Sequence, residues 1–521
     1  MAQDAAQERR CPDEKYAISE AVCRARRDRQ FPRCLNCQWN EAAPEPEAKP
    51  PPVDLDKVFK AYDIRGRVAQ EITRPFAAKV GYSVATYLLK TLDAKERART
   101  ETHWIVVGHD MRPTSEGLAR AVTDGVRAAG AGAIAIGEVE TPAVYYAVGS
   151  LKALGGIQVT ASHNPITDNG FKITGPDCVP VGMGSGLEKV KKIFASLKDG
   201  ERLPTGGLRF QDVSTGYLLH VRKFVGTVRP LMRIVLDASN GMASKWVPSL
   251  LREYSVQMEG LNLERAGRFK HEPNPLKEEN LVELKERVRA SGAALGACFD
   301  GDADRVGFVD ERGETVANDL VTALLAPLFL KKERGATIVY DLRSSWALRE
   351  EIEKHEGVPR RERVGHSFLK AALRETNAPF GGELSGHSYY RDNFYCDSAV
   401  ITLMLVLQVL SAHPEATFSE LVAPLRRYHS TGEVNFDVKV PKRTAMRKQQ
   451  EKIIQSLATK YAKGRVDFLD GATVEFKDWW FNLRPSNTEP LLRLCLEATT
   501  EKLRDEKYRE LLKVLGPPSK R

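Results

Sequence analysis

At 521 residues the chain is long enough for several domains, each with a core of its own. Its 42% hydrophobic and 28% charged residues are ordinary for a soluble globular protein, and no apolar run reaches the roughly 18 residues of a membrane span, so no membrane partner is expected. The formal net charge of +9 suits anionic small substrates, and without a long Lys/Arg block nucleic acid is not an expected partner.

The N-terminus is polar and charged, unlike a secretory signal, which makes the cytoplasm the expected compartment. Residues 1–41 carry Cys11, Cys23, Cys34 and Cys37 in the pattern C-x11-C-x10-C-x2-C. Three readings stay open: a structural zinc module on the four thiolates, reduced thiols in an unstructured segment, or an iron–sulfur cluster. Residues 42–53 form a Pro/Ala/Glu linker, and from Lys57 the chain reads as globular. The remaining cysteines, Cys178, Cys298, Cys396 and Cys495, sit mostly among apolar neighbours and read as buried, reduced thiols.

Strand and helix signals then alternate. Trp104 to Val107 reads as a strand, Glu116 to Ala129 as a helix, Ala131 to Ile136 as a strand, Pro142 to Gly149 as a helix and Leu154 to Val159 as a strand. One punctuation recurs three times: an apolar strand ends in Asp110, Asp237 or Asp341, and a polar turn and a helix follow. The repetition predicts three similar α/β domains with mixed sheets. The last stretch differs, with strands expected at Glu433 to Val440, Ala472 to Phe476 and Leu491 to Glu497, and helices at Ala445 to Tyr461 and Glu501 to Leu515. It reads as a smaller α+β domain. The expected division is 54–205, 206–312, 313–428 and 429–521, with the active site in the central cleft.

Four loops carry chemistry. Thr160-Ala161-Ser162-His163-Asn164-Pro165 puts a serine in a polar turn after an apolar run. A serine is a weak nucleophile until its proton is removed and its surroundings are cationic. Asp300-Gly301-Asp302-Ala303-Asp304-Arg305 spaces three carboxylates two residues apart, able to converge on one hard cation such as Mg²⁺. An EF-hand is the rival, but Arg305 stands where a calcium loop wants an oxygen. With a phosphoserine of about −1.5 to −2 added, the site needs cations, and Arg305, Lys172 and Arg65 are the candidates. Gly381-Gly382-Glu383-Leu384-Ser385-Gly386-His387 offers a carboxylate for vicinal hydroxyls. Arg484-Pro485-Ser486-Asn487-Thr488-Glu489-Pro490 combines a guanidinium, two hydroxyls and an amide, a phosphate-binding inventory without a Walker glycine pattern.

Together, and in this order, the four loops resemble the α-D-phosphohexomutases of the phosphomannomutase/phosphoglucomutase type over about residues 57 to 515. Phe59 to Gly66 is similar to that family's opening motif, and Gly365-His366 to its third-domain histidine. The resemblance implies a phosphorylated Ser162 that exchanges its phosphoryl group with hexose 1- or 6-phosphate through a hexose 1,6-bisphosphate. It implies Mg²⁺ on Ser162, Asp300, Asp302 and Asp304, and Arg65, Lys172 and His163 beside the serine as catalytic groups. Tyr62, Arg305, Arg343, His366 and His387 are implied substrate contacts. Glu383 and Ser385 would take the sugar hydroxyls, while Arg484, Ser486, Asn487 and Thr488 would hold the phosphate that is not reacting. Leu384 and Asn487 favour mannose and glucose phosphates over glucosamine phosphate. One departure is Asp341-Leu342-Arg343, where many members have D-x-K. The rival functions are a non-catalytic sugar-phosphate-binding regulator on the same scaffold and a mutase for another hexose such as glucosamine phosphate, and the expected assembly is a monomer or weak dimer.

Overall fold

The computed structural model describes residues 9–10, 17–18, 53–93, 95, 103–198, 203–265, 267–438, 446–486 and 491–519. The chain divides into two compact units, Met1–Asp54 and Leu55–Arg521. In the first, Arg9–Arg10 pairs antiparallel with Ala17–Ile18. The expected zinc ligands Cys11, Cys23, Cys34 and Cys37 lie outside the described residues, as do Asn487 and Thr488.

The second unit contains four sheets. The first runs Ile64–Arg67, Asp168–Thr174, Gly155–Val159, Trp104–His109, Gly132–Glu138 and Leu208–Phe210. The last four of these are parallel, while Asp168–Thr174 and Ile64–Arg67 add antiparallel at one edge. The second sheet orders Gln257–Leu261, Arg233–Asp237, Leu295–Phe299, Val306–Asp310 and Thr315–Val316, three parallel strands and two antiparallel. The third repeats that order and sense with Val358–Glu362, Thr337–Asp341, Phe380–Gly382, Ser388–Tyr390 and Cys396–Asp397. The recurring Asp punctuation therefore marks the same position in each sheet, the end of the first parallel strand.

The helices start and stop where local chemistry allows. Ser398 caps Ala399–Ala412 by accepting from the Ile401 amide at 3.3 Å. Thr417 and Glu420 form a capping box before the short helix Phe418–Val422. Ala399–Ala412 is apolar almost all round because it is enclosed, with Ile401, Leu403, Met404 and Leu407 fully buried. One continuous core joins the first three sheets, from Val106 through Trp246 and Phe299 to Phe380 and Leu425.

The fourth sheet is wholly antiparallel: His429–Asp437, Leu491–Ala498, Trp479–Pro485, Ala472–Glu475 and Arg465–Asp467. Helices Met446–Lys460 and Glu501–Leu515 cover it around a separate core of Phe436, Leu457, Phe481 and Leu494. The first strand begins earlier than its hydrophobic pattern suggests, at His429, with a register irregularity between Ser430 and Glu433. Ile64–Arg67 and Asp168–Thr174 are among the strands that the apolar pattern does not predict. Their polar, glycine-containing sequences show little alternation, and they form because each completes the ladder of its neighbour. Cys178, Cys298, Cys396 and Cys495 are buried and unpaired by disulfides.

Candidate active site

The serine, metal and sugar loops occupy equivalent places. Each leaves the C-terminal end of the third parallel strand of its sheet, after Val159, Phe299 and Gly382, and turns into the antiparallel neighbour. Ligands in open α/β sheets bind outside such strand ends. The shared topology brings three loops, far apart in sequence, to corresponding positions.

Ser162 adopts φ +51°, a left-handed conformation that costs energy for a non-glycine residue. Its surroundings hold it there. The Ser162 amide donates to Thr160 Oγ1 at 2.9 Å, and its carbonyl accepts from Arg112 at 2.9 Å. Its hydroxyl donates to Asp300 Oδ2 at 2.8 Å and accepts from Arg305 at 3.1 Å. Gly301 makes this approach feasible: a Cβ there would lie 2.4 Å from the Ser162 carbonyl oxygen.

Asp300, Asp302 and Asp304 are buried, with one oxygen of each within 4.8 Å of the others. Asp300 folds its own loop, accepting from the Asp304 and Arg305 amides at 3.2 Å each. Thr141 donates its hydroxyl to Asp302 at 2.5 Å. Lys172, carried in by the strand Asp168–Thr174, lies 2.6 Å from Asp302 and also pairs with Asp304. Burial, with Asp304 alongside, pushes Asp300 up to about 7 despite Arg305. Burial would also raise Asp304, but Lys172 and His387 hold it well below the usual carboxylate range.

Arg65, on the edge strand Ile64–Arg67, pairs with Asp63 at 2.7 Å and donates to the Ala161 carbonyl at 3.1 Å and Asn164 Oδ1 at 2.8 Å. It therefore braces the serine loop from one side. His163 follows Ser162 on the same loop. Burial and the adjacent Arg305 keep it neutral, its Nδ1 is in close contact with Arg305, and Ser162 Oγ is 3.4 Å from the same nitrogen. Tyr62 stacks edge-on against His366 with ring centroids 5.1 Å apart, and a Cβ at Gly365 would strike the Tyr62 hydroxyl. A cavity of about 120 Å³ gathers Tyr62, Arg65, Ser162, His163, Lys172, Asp304, Arg305, His366 and His387.

Arg343, Glu383 and Arg484 do not line that cavity. They belong to a second cluster. Arg343 pairs with Asp341 at 2.7 Å and lies 3.8 Å from Glu383 Oε2. Arg484 donates to Glu433 at 2.5 Å, and the Ser486 amide donates to the Leu491 carbonyl at 2.9 Å. Ser385 connects the clusters: its hydroxyl donates to Glu383 at 2.9 Å and lies 3.0 Å from His387 Nδ1, whose Nε2 is 3.5 Å from Asp304.

Two residues that organise the site were not singled out in advance for it, Arg112 and Glu433. Arg112 sits in the polar turn after Asp110, and Asp341-Leu342-Arg343 repeats its Asp-x-Arg spacing, which is the available signal. It is fully buried against Asp110 and donates to four serine-loop carbonyls, those of Ser162, Asn164, Pro165 and Asp168. Glu433 has no motif, since its role depends on arginines distant in sequence.

Comparison with known proteins agrees with this geometry. Residues 56–201, 216–313 and 317–428 match phosphoglucomutase/phosphomannomutase alpha/beta/alpha domains I, II and III, and residues 433–512 match the C-terminal domain of the same family. A phosphomannomutase of Vibrio cholerae is 34% identical, covering 88% of this chain and 98% of the relative. A phosphomannomutase of Methanocaldococcus jannaschii is also 34% identical, over 88% of this chain and 97% of its own. The crystal structure of a phosphoglucomutase/phosphomannomutase family protein from Burkholderia thailandensis superposes with a TM-score of 0.77 at 30% identity, covering 88% of this chain and 98% of that one. The match spans all four sheets, and this chain belongs to the phosphoglucomutase/phosphomannomutase family.

Proposed function

We propose that this protein interconverts hexose 1-phosphate and hexose 6-phosphate, acting on mannose and glucose phosphates, with Ser162 as the phosphoryl carrier. The observation that carries the reading is the serine itself: a strained, buried Ser162 with its hydroxyl between Asp300 and Arg305, beside three clustered carboxylates.

In the forward half-reaction a sugar hydroxyl attacks the phosphorus of phosphorylated Ser162. The new oxygen–phosphorus bond forms as the bond to Ser162 Oγ breaks, and the hydroxyl proton leaves to a neighbouring base or to the serine oxygen. The product is hexose 1,6-bisphosphate, and return of the other phosphoryl group to Ser162 completes the exchange. Arg305 already donates to Ser162 Oγ and is suited to stabilise the leaving oxygen. Lys172 and Arg65 add positive charge on either side. His366, kept neutral by burial and by Lys370, has a lone pair available for a substrate proton. Glu383 and Ser385 suit the sugar hydroxyls, with discrimination at O2 expected to be slight. Arg484 and Ser486, with Asn487 and Thr488, suit the phosphate at the far end.

The three aspartates fit a hard divalent ion. Among the described residues, buried Asp302 Oδ1 and Asp304 Oδ1 have no hydrogen-bond partners, an arrangement that an oxygen-preferring cation satisfies. When bound there with Ser162, Mg²⁺ supplies positive charge for the transferring phosphoryl oxygens.

The test is a coupled assay of mannose 1-phosphate and glucose 1-phosphate with Mg²⁺ and a trace of bisphosphate, on wild type and Ser162→Ala. Turnover by the wild type and its loss in the variant are expected. No turnover of either sugar by the wild type sinks the mutase reading, and full activity in Ser162→Ala refutes the serine carrier.

A further inference from the structure

Three guanidinium groups converge on one carboxylate. Glu433 Oε2 accepts from Arg484 at 2.5 Å and from Arg343 at 3.4 Å, and Oε1 accepts from Arg493 at 3.0 Å. Arg484 and Arg493 stand directly opposite each other on adjacent antiparallel strands. Like charges so placed repel, and repel more strongly when partly desolvated. The side chain of Arg484 is only 3% exposed and that of Arg343 only 8%. Burial alone would raise the pKa of Glu433, yet Arg343, Arg484 and Arg493 hold it at about 2. The carboxylate is thus permanently charged and lets the two opposed arginines share one face.

Arg343 adds a link that a lysine could not. It repeats the turn of Arg112: in both, the backbone amide and Nε donate to the aspartate two residues earlier. The rest of the Arg112 fork is spent on the carbonyls of the serine loop. In Arg343 one terminal nitrogen grips Asp341, with Glu383 at 3.8 Å, and the other reaches across to Glu433 on the fourth sheet. A single ammonium nitrogen cannot hold Asp341 through two nitrogens and reach Glu433 as well. Glu433 also leaves a donor unused, since among the described residues the buried Arg484 Nε has no hydrogen-bond partner. That edge is available to an oxygen of an incoming phosphate.

We propose that Glu433 is the positioning residue of the phosphate anchor. It gathers Arg484, Arg493 and Arg343 into one anion clamp and, through Arg343, ties the clamp to the sugar loop. The proposal rests on the phosphohexomutase reading and adds to it a residue that touches no substrate but aims those that do. Without its charge the arginines turn apart, and a phosphate must bring them back together. That penalty falls on ground state and transition state alike, so KM changes and kcat does not.

The experiment uses the full chain with Glu433→Gln, Glu433→Asp and Arg343→Lys. It measures kcat and KM for mannose 1-phosphate, the inhibition constant of inorganic phosphate, and Tm. Glu433→Gln is expected to raise KM and the phosphate inhibition constant together by about tenfold, with kcat held within about threefold. Glu433→Asp should recover part of the loss, and Arg343→Lys should raise KM by about threefold. Values of both constants within about twofold of wild type in Glu433→Gln overturn the proposal. So does a fall in KM, because Glu433 would then be a competitor of phosphate and not its organiser. If Glu433→Gln has a collapsed Tm, Arg343→Lys decides, and an unchanged KM there overturns the link between clamp and sugar loop. If the wild type shows no turnover, the mutase reading fails separately, and calorimetric titration of the same proteins with inorganic phosphate tests the clamp alone. Weaker binding in Glu433→Gln then supports it and equal binding overturns it.

Discussion

Arg112→Lys probes how the serine loop is held. The Arg112 guanidinium has five N–H groups, and all five have acceptors: Asp110 at 3.1 Å, Pro165 at 2.6 Å, Asp168 at 3.0 Å, Ser162 at 2.9 Å and Asn164 at 2.7 Å. Lysine keeps the charge beside Asp110 but has three donors. At least two acceptors therefore lose their partner, each hydrogen bond to a charged donor contributing about 1.5 kcal/mol at the low end. The expected loss is about 3 kcal/mol, concentrated on the loop that presents Ser162. If all of it appears in the transition state, kcat/KM falls roughly 100-fold. The assay is steady-state turnover of mannose 1-phosphate alongside urea unfolding. Activity within about threefold of wild type, with the urea midpoint unchanged, refutes the idea that this fork holds the loop.

Other outcomes follow from the same geometry. Gly301→Ala places a methyl 2.4 Å from the Ser162 carbonyl and should separate the serine and metal loops, removing most turnover while circular dichroism stays native. Chelation of divalent ions should abolish turnover, with Mg²⁺ restoring it; full activity after exhaustive chelation would count against the metal reading. Asp397→Asn leaves Lys370, paired at 2.8 Å and 1% exposed, buried without its counter-ion, and should cost about 3–5 kcal/mol near neutral pH. That deficit should shrink toward alkaline pH as the buried lysine sheds its proton, and a pH-independent deficit would point to packing instead. The depressed pKa of Glu433, about 2, means its stabilisation is complete above the ordinary carboxylate range and is lost progressively as pH falls from that range through about 2. Between pH 5 and pH 9 the ratio of KM in Glu433→Gln to KM in wild type should therefore stay constant; a ratio that collapses near pH 5 would show a carboxylate titrating there.

Much of the architecture was legible because it is written in local periodicity. The strand ending at Asp341 and the helix Glu501–Leu515 need only a pattern of apolar residues and an Asp or Thr at the boundary. The three carboxylates of the metal loop were legible for the same reason, since a five-residue stretch brings them together without help from elsewhere. Ser162 gained meaning from its companions: alone it is a polar turn, but with the metal, sugar and phosphate loops in order it marks a reaction.

Tertiary structure decided what depends on side chains meeting across the chain. Lys172 reaches Asp302 and Asp304 only because the unpatterned strand Asp168–Thr174 adds antiparallel to the first sheet. His163 lies next to Ser162 in sequence, yet its Nδ1 is in close contact with Arg305, because packing sets which partner a lone pair meets. Arg343 is an expected substrate contact with arginine where many members have lysine, and the fold adds a reach to Glu433 on another sheet. Sequence determined the strands, the loops and their chemical inventory, which follow from short-range sterics and hydrophobic pattern. Only the fold decided how charges pair, because electrostatic partners are chosen by distance in space and by shared burial, neither of which is visible along the chain.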